Sequence, residues 1–265
     1  MSTPVSSLST PRASAWTDTA VLAGRGLLLM TRSPATVAMT AMFPVILLVF
    51  LSVSFAKVVM PEGSYGDYVN YSVPLFAAMG ITFATLSTAN AAHADRVAGF
   101  DDRLRTLPMS PVAPLAGRII ADMVRNLATV AVVTIVGVAL GFRFDNGTLG
   151  AVGYFAVPLI YGFGLAWLMV AVAMHAKSAE AANATLNALL LVLSFLSTGF
   201  VRLDDLPGWA QPIARVNPIS HVVDAMRAFA HGGTAGDHLW ALGAWTVGLT
   251  ALCGWLAVRR YARRD

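Results

Sequence analysis

Three ionisable residues in one apolar segment are the first candidates for chemistry. Arg118, Asp122 and Arg125 stand four and three residues apart in a run rich in Ile, Val and Leu. Those spacings place the three side chains on one face of a helix, where they can pair with one another. An intramembrane carboxylate can relay protons in an ion-coupled carrier. Asp122 lies near the end of its segment, where the neighbouring arginines can extend to water. We therefore favour a structural interpretation, in which these charges neutralise one another where the helix enters the membrane.

A second group of charges lies between two apolar runs, in residues 94–111, which read ADRVAGFDDRLRTLPMSP. Within this stretch Phe100, Leu104 and Leu107 recur at spacings of four and three, which predicts a short amphipathic helix. The three aspartates of the stretch cancel its three arginines, so its attraction to anionic lipid is weak. The pattern therefore favours docking in the groove of a protein partner over binding to the membrane surface.

A third group lies in the long segment 202–238, which contains apolar pieces and several Gly and Pro residues. A loop of this length inside a compact protein usually has structure of its own, so we predict short re-entrant or interfacial helices. Asn217 is suited to cap a helix that has Pro218 in its first turn. Asp224 and Arg227 stand three residues apart and can pair on that helix.

Several kinds of chemistry are not expected of this chain. The sequence has no G-x-x-x-x-G-K-[ST] motif, no G-x-S-x-G and no H-E-x-x-H, so we predict neither an enzyme nor a nucleotide-binding protein. His231 and His238 could share one face beside Asp237, but two such residues are weak evidence for a metal. We therefore expect no metal site, no cofactor in this chain and no nucleic-acid partner.

The elements that must position these residues are helices in a membrane. The chain has 265 residues, of which 57% are hydrophobic and 12% are charged, and its mean hydropathy is +0.67. A soluble domain carries about 25% charged residues, so the composition predicts an all-α integral membrane protein. A span needs about 20 apolar residues, and six stretches meet or approach that length: 35–56, 73–92, 119–140, 149–173, 184–200 and 239–258.

The distribution of Lys and Arg predicts the orientation of these six transmembrane helices. With the N-terminus inside, thirteen of the 18 basic residues are cytoplasmic, because five lie on the opposite side: Lys57, Arg143, Arg202, Arg215 and Arg227. Both termini are then cytoplasmic.

The rest of the chain divides around this membrane region. The polar N-terminal residues predict a disordered tail. The residues that follow predict an interfacial helix with Trp16, Ala20, Ala23 and Leu27 on one side. The glycines of two patterns, Gly137 with Gly141 and Gly162 with Gly164, permit close helix packing. The predicted organisation is a tail (1–15), an interfacial helix (16–33), a six-span region (34–258) and a basic cytoplasmic tail (259–265).

The charged stretch resembles a motif of the membrane subunit of ABC type-2 exporters, particularly the daunorubicin/doxorubicin-resistance permease group. Members typically carry E-R-x-x-G-T-x-E-x-L-R-x-x-P after the second span. This sequence has Asp for Glu twice, which keeps the charge, and Phe100 in place of Thr. The matching positions are Asp95, Arg96, Gly99, Phe100, Asp102, Leu104, Arg105 and Pro108.

A second match supports the same resemblance. The family often shows N-P-[LI]-[ST]-[YH]-x-x-[DE]-x-x-R before the last span, and this chain reads NPISHVVDAMR there. Span number, the internal charged helix and the structured outer segment also agree, so the resemblance covers essentially the whole chain. The residues that carry this second motif are Asn217, Pro218, Ser220, His221, Asp224 and Arg227.

The resemblance implies a mechanism. A separate P-loop ABC ATPase would bind ATP and Mg²⁺ and grip a cytoplasmic coupling helix in the charged stretch. Phe100, Leu104 and Leu107 would seat in its cleft, and Arg96, Asp102 and Arg105 would orient them. A second permease copy or a homologous permease would complete a transporter in the bacterial inner (plasma) membrane. Its substrate would be a hydrophobic or amphipathic compound, such as a drug, an antibiotic or a lipid.

Two other function classes stay open from the residues alone. One is an ion-coupled secondary carrier that needs no ATPase, and the other is a membrane anchor or assembly factor that moves nothing. Transport that depends on ATP hydrolysis by a partner would separate the exporter from both.

Overall fold

The computed structural model describes residues 14–32, 34–59, 62–99, 104, 106, 109–110, 112–175 and 179–262. Within these ranges every regular element is helical. The helices are α1 (Ala15–Arg32), α2 (Pro34–Val59), α3 (Tyr65–Val97), α4 (Val112–Leu140), α5 (Gly147–His175), α6 (Ala179–Phe195), a 3₁₀ turn (Leu203–Asp205), α7 (Gln211–Val216), α8 (Pro218–His231) and α9 (Gly236–Ala262).

Four of these helices are long and apolar enough to cross a membrane. The remaining two long helices of the bundle, α2 and α6, contain shorter apolar stretches, Ala38–Ser54 and Leu186–Phe195. The all-helical membrane architecture is thus confirmed, with four complete candidate spans among the described residues. These spans are Tyr65–Leu86, Val112–Leu140, Gly147–His175 and Gly236–Arg260.

The two ends of α3 show why the helix lies where it does. At its start the Ser64 backbone N–H donates to the Asp67 carboxylate at 2.7 Å, and the Asp67 N–H donates to the Ser64 hydroxyl at 3.2 Å. This reciprocal capping box satisfies donors that the first helical turn leaves free. After Val97 the chain reaches Gly99, whose φ of +66° is the left-handed conformation that ends many helices.

Helix α3 is the centre of the bundle. It packs against α2, α4, α5, α6 and α8, and its middle, from Val73 to Met79, is buried on every side. A helix that is apolar all round and lies among other helices has little surface left for lipid. In contrast, α2, α4 and α9 each keep an exposed stripe of large apolar side chains, as expected for helices at the outside of a membrane bundle.

Small residues bring the helices close together. A Cβ atom added to Gly137 would lie 2.7 Å from Val73 on α3, and one added to Gly162 would lie 2.9 Å from Asn126 on α4. A Cβ on Gly164 would lie 3.1 Å from the Thr246 backbone of α9. These three glycines of the two predicted patterns therefore pack helices within this chain. Gly141, with a φ of +113°, instead follows the last turn of α4.

Helix α1 packs against the first turns of α4 through a face other than the predicted one. Its buried residues are Thr19 and Ala23, whereas Trp16 is 80% exposed and Ala20 is also exposed. Of the predicted interfacial face only Ala23 belongs to this contact, and Trp16 and Ala20 stay exposed, as side chains turned to the membrane interface would be. The contact with α4 forms through small residues of α1 because Gly117 allows a close approach.

This contact predicts the effect of filling the space at Gly117. A Cβ there would lie 2.9 Å from Leu22 and 3.0 Å from the Thr19 carbonyl oxygen, so Gly117→Leu must push α1 away from α4. We expect the variant to lower the free energy of unfolding by about 1–3 kcal/mol, measured by thermal unfolding of the purified chain. Gly248→Leu on α9 is the matched control, because nothing lies within 4 Å of the added Cβ. An equal loss in both variants would contradict the assigned contact.

Candidate functional site

The segment NPISHVVDAMR, residues 217–227, supplies the cap and the first turns of α8. The Asn217 side-chain oxygen accepts a hydrogen bond from the Ile219 backbone N–H at 2.9 Å, with Pro218 in the first turn. The predicted cap is therefore confirmed. The amide nitrogen of the same side chain donates to the Leu193 carbonyl at 2.7 Å and to the Leu196 carbonyl at 3.0 Å. Asn217 thus caps one helix at its start and a second, α6, at its end.

Arg227 makes the densest set of contacts in this region. Its guanidinium donates to the Tyr71 carbonyl at 3.0 Å, to the Thr198 carbonyl at 2.9 Å and to the Gly199 carbonyl at 2.8 Å. It also pairs with the Asp224 carboxylate at 2.9 Å, which confirms the predicted pairing. The guanidinium carbon lies 3.5 Å from the centre of the Tyr71 ring, a cation–π contact.

Three further bonds close the network. The Thr198 hydroxyl donates to Asp224 at 2.8 Å, the Thr198 N–H donates to the Ser220 hydroxyl at 3.1 Å, and the Tyr71 hydroxyl donates to the Thr198 carbonyl at 2.8 Å. Sequence reasoning missed Tyr71 and Thr198, since neither belongs to a motif. We call this set the outer brace: Tyr71, Thr198, Gly199, Asn217, Ser220, Asp224 and Arg227.

The outer brace ties three parts of the fold together: the start of α3, the chain just after α6, and α8. Burial lowers the pKa of Arg227 from its ordinary value, while Tyr71 and Asp224 oppose that effect. An arginine nevertheless keeps its charge, so the positive charge of the brace is permanent. Its donors and acceptors are directed at the protein itself, which makes it a positioning device and not a ligand site.

Asn217 allows the cap and the brace to be tested separately. Asn217→Asp keeps the oxygen that caps α8 but removes the amide donors to α6, whereas Asn217→Ala removes both. We expect a loss of about 1–3 kcal/mol in unfolding free energy for Asp, because two buried carbonyls lose their donor, and a larger loss for Ala. Thermal unfolding of the purified variants measures both. Identical stability of wild type and Asn217→Asp would show that the bonds to α6 contribute nothing.

The histidines of this region do not lie where the sequence suggested. His231 and His238 do not share a face: His231 contacts Asp145 at 2.9 Å, and His238 instead faces His221 at 3.3 Å. Burial, followed by the proximity of His238, lowers the pKa of His221. Among the described residues no group of three or more His, Cys, Asp and Glu side chains is arranged to hold a metal ion.

The three charged residues of α4 take part in two separate ion pairs. Arg118 pairs with Asp95 near the end of α3 at 2.5 Å, and Arg125 pairs with Asp122 at 2.6 Å. The expectation that the three charges would pair with one another is therefore only half correct. Arg118 bonds across to α3 because the two helices meet on either side of the charged stretch, which brings Asp95 within its reach.

Arg125 is also not directed to water. Its side chain is 14% exposed and that of Asp122 is 6% exposed, and the guanidinium donates to the Ala84 carbonyl of α3 at 3.1 Å. The next residue, Asn126, is fully buried and contacts Thr85 at 3.4 Å. The pair thus forms a polar contact between α3 and α4 inside the bundle. Helix α3 covers this face of α4, and the ion pair of Arg125 with Asp122 agrees with the expected mutual neutralisation of these charges.

Most of the predicted coupling segment lies outside the described residues. Gly99 follows the last turn of α3 with a φ of +66°, and Leu104 is helical and only 8% exposed, so its side chain packs within this chain. Arg96 lies in the last turn of α3. The Asp95–Arg118 ion pair joins the two helices that flank the segment. The positions outside the described residues are Phe100, Asp102, Arg105, Leu107 and Pro108.

Comparison with known proteins adds an independent observation. Residues 17–230 match the model of the ABC-2 type transporter family. The chain is 31% identical over 261 residues to the daunorubicin resistance ABC transporter permease protein DrrB1 of Streptomyces coeruleorubidus, covering 96% of this chain and 89% of the relative. It is 30% identical over 225 residues to a probable doxorubicin resistance ABC transporter permease protein, DrrC, of Mycobacterium tuberculosis, covering 84% and 80%.

These similarities agree with the helical membrane bundle and with the motif in α8. The family match spans well over half of the chain, and both relatives are aligned over most of their own length. The chain belongs to the ABC-2 type transporter family and is a membrane permease of an ABC exporter.

Proposed function

We propose that this chain is the permease subunit that carries a hydrophobic or amphipathic compound across the bacterial inner membrane, driven by a separate ABC ATPase. In this proposal the chain crosses the membrane six times, with both termini in the cytoplasm. The observation that carries it is the family match over residues 17–230. The apolar stretches of α2 and α6 would supply the two spans beyond the four long ones.

The ATPase would bind the segment between α3 and α4, and its conformational change would move both helices. Two contacts support this arrangement, because they link the helices that flank the segment. Asp95 pairs with Arg118 at 2.5 Å, and Arg125 reaches the Ala84 carbonyl at 3.1 Å. A displacement of the segment would therefore shift α3 and α4 as a pair, and the outer brace would pass the motion of α3 on to α8.

The substrate class is proposed from two observations. The relatives carry names that refer to daunorubicin and doxorubicin resistance. In addition, an apolar cavity of about 500 Å³ lies where α1, α2 and α4 meet, a size that suits a drug-sized molecule. It opens on the exposed side of the bundle, where a compound dissolved in the bilayer would meet it. Its lining consists of Met30, Thr31, Ala38, Ala41, Met42, Val45 and Val132.

Reconstitution tests the proposal against its rivals. The chain is co-expressed with a candidate ABC ATPase, purified and placed in liposomes, and export of doxorubicin is measured with ATP and with a non-hydrolysable analogue. We expect export with ATP and no export with the analogue. Equal transport without hydrolysis would support an ion-coupled carrier, and absence of transport despite ATPase binding would support an anchor.

A charge reversal tests the coupling segment. Arg105→Glu is expected to abolish co-purification of the ATPase while the permease still inserts into the membrane, because the partner's surface would meet a charge of the wrong sign. Arg264→Glu in the basic tail is the matched control and should bind normally. Leu104→Asp is a poorer probe, because that side chain is buried in this chain. Normal ATPase recovery with Arg105→Glu would count against this docking surface.

A further inference from the structure

A cavity with charged walls opens between the end of α2, the start of α3 and the 3₁₀ turn after α6. Its volume is about 500 Å³, which is within the range that holds a drug-sized molecule. The cavity lies near the start of α3, whereas the coupling segment follows the end of this 33-residue helix, about 50 Å away. The two therefore lie at opposite ends of the bundle. The lining of the cavity includes Val59, Glu62, Tyr71, Val201, Arg202 and Asp205.

The apolar part of this lining is held in place by the outer brace. Tyr71 belongs to both, and its hydroxyl donates to the Thr198 carbonyl at 2.8 Å. The Arg227 guanidinium covers one face of its ring, 3.5 Å from the ring centre. The aromatic wall is thus formed before any ligand binds, which lowers the cost of ordering the site.

The charged part of the lining differs from the outer brace, because its side chains are not bonded to the protein. Glu62, Arg202 and Asp205 are all exposed, and within the described part of the chain none of them makes an ion pair or a side-chain hydrogen bond. The 3₁₀ turn positions two of them, since the Asp205 backbone N–H donates to the Arg202 carbonyl at 3.1 Å. Two carboxylates and one guanidinium give the lining a net charge of −1, which favours a cation.

We infer that this cavity binds a cationic amphipathic compound, such as a protonated amine with an apolar body that contains rings. The cation would lie between Glu62 and Asp205, and the apolar body would pack against the valines and Tyr71. Arg202 opposes the cation and so limits the affinity, which suits a site from which a compound must leave. The assignment of the cavity to the release side rests on the proposed function, whereas the binding itself does not.

Equilibrium dialysis of an organic cation tests the site on the purified full-length chain. The probe is tetraphenylphosphonium, which carries a permanent positive charge, and binding to empty micelles is subtracted. We expect saturable binding that weakens about fivefold in Glu62→Gln and in Asp205→Asn, as for the loss of one exposed charge pair. Asp204→Asn is the matched control and should bind as the wild type does, because this neighbouring carboxylate is also exposed but does not line the cavity.

Arg202 provides a change of the opposite sign. Arg202→Gln removes the positive charge from the lining and should tighten tetraphenylphosphonium binding by about fivefold, a gain that a damaged fold could not produce. Triphenylphosphine oxide, which has phenyl rings but no net charge, should bind the wild type and the four variants alike. Unchanged affinity for the cation in Glu62→Gln and Asp205→Asn, or an equal loss in Asp204→Asn, would overturn the proposal.

The outcome for this site is separate from the outcome for the proposed function. If liposomes show no ATP-driven export of doxorubicin but the cation binds with the expected pattern, the exporter assignment fails and the cavity remains a site for organic cations. If export proceeds while the wild type and the variants bind the cation equally, the site is wrong and the exporter assignment stands.

Discussion

Replacing Arg227 by alanine is expected to lower the free energy of unfolding by about 3 kcal/mol, because the partly buried Asp224 carboxylate loses its ion-pair partner and three carbonyls each lose one donor. The Asp224 side chain is only 24% exposed, so water cannot fully replace the arginine. The measurement is thermal unfolding of the purified chain, followed by export in liposomes. Export should fall with stability, because α3, α6 and α8 lose their common contact.

Two further variants sharpen this result. Arg227→Lys keeps the charge but lacks the planar fork that reaches several acceptors at once, so we expect it to recover only part of the lost stability. Arg215→Ala is the control, since this arginine belongs to the same outer segment but is exposed. Its unfolding should match the wild type within experimental error. If Arg227→Ala behaved like Arg215→Ala, the brace would have no energetic role.

The second large effect is expected at the buried ion pair of α4. Removal of one partner of such a pair costs about 3–5 kcal/mol, because it leaves an uncompensated charge. Asp122→Leu and Arg125→Leu should therefore each destabilise the chain strongly. The double variant should be more stable than either single one, since two well-packed apolar side chains need no compensation. Denaturant unfolding of the wild type and the three variants completes the double-mutant cycle.

The cycle also distinguishes structure from transport chemistry. If the pair only joins α3 to α4, the double variant should fold and export at a rate close to that of the wild type. If Asp122 relays protons, export should be lost in the double variant although folding is restored. Additive losses, with the double variant the least stable of all, would contradict the assigned pairing.

Features within one helical turn could be predicted from the sequence. The cap at Asn217 and the Asp224–Arg227 pair depend only on residues two or three positions apart, and both are confirmed. The break at Gly99 is equally local. Contacts that depend on distant segments could not be predicted in the same way. Arg227 meets the Tyr71 carbonyl across 156 residues, and no pattern in the sequence links the two.

Two incorrect expectations have the same origin. The spacing allows Arg118 to pair with Asp122, but in the packed bundle Arg118 pairs with Asp95 of α3 at 2.5 Å. Their spacing would allow His231 and His238 to share a face, but the chain between them turns at Gly232 and Gly233, which both have positive φ. In each case tertiary packing, and not local periodicity, determined the outcome.

Most of the oxygen atoms that accept hydrogen bonds from Arg227 belong to the peptide backbone, at residues 71, 198 and 199. A peptide oxygen is present whatever the side chain, so these acceptors survive almost any exchange of amino acid. Evolution can therefore diversify the neighbouring surface, as long as one arginine is retained. We expect paralogues to differ widely in the sequence just after α6 and to keep the arginine at position 227.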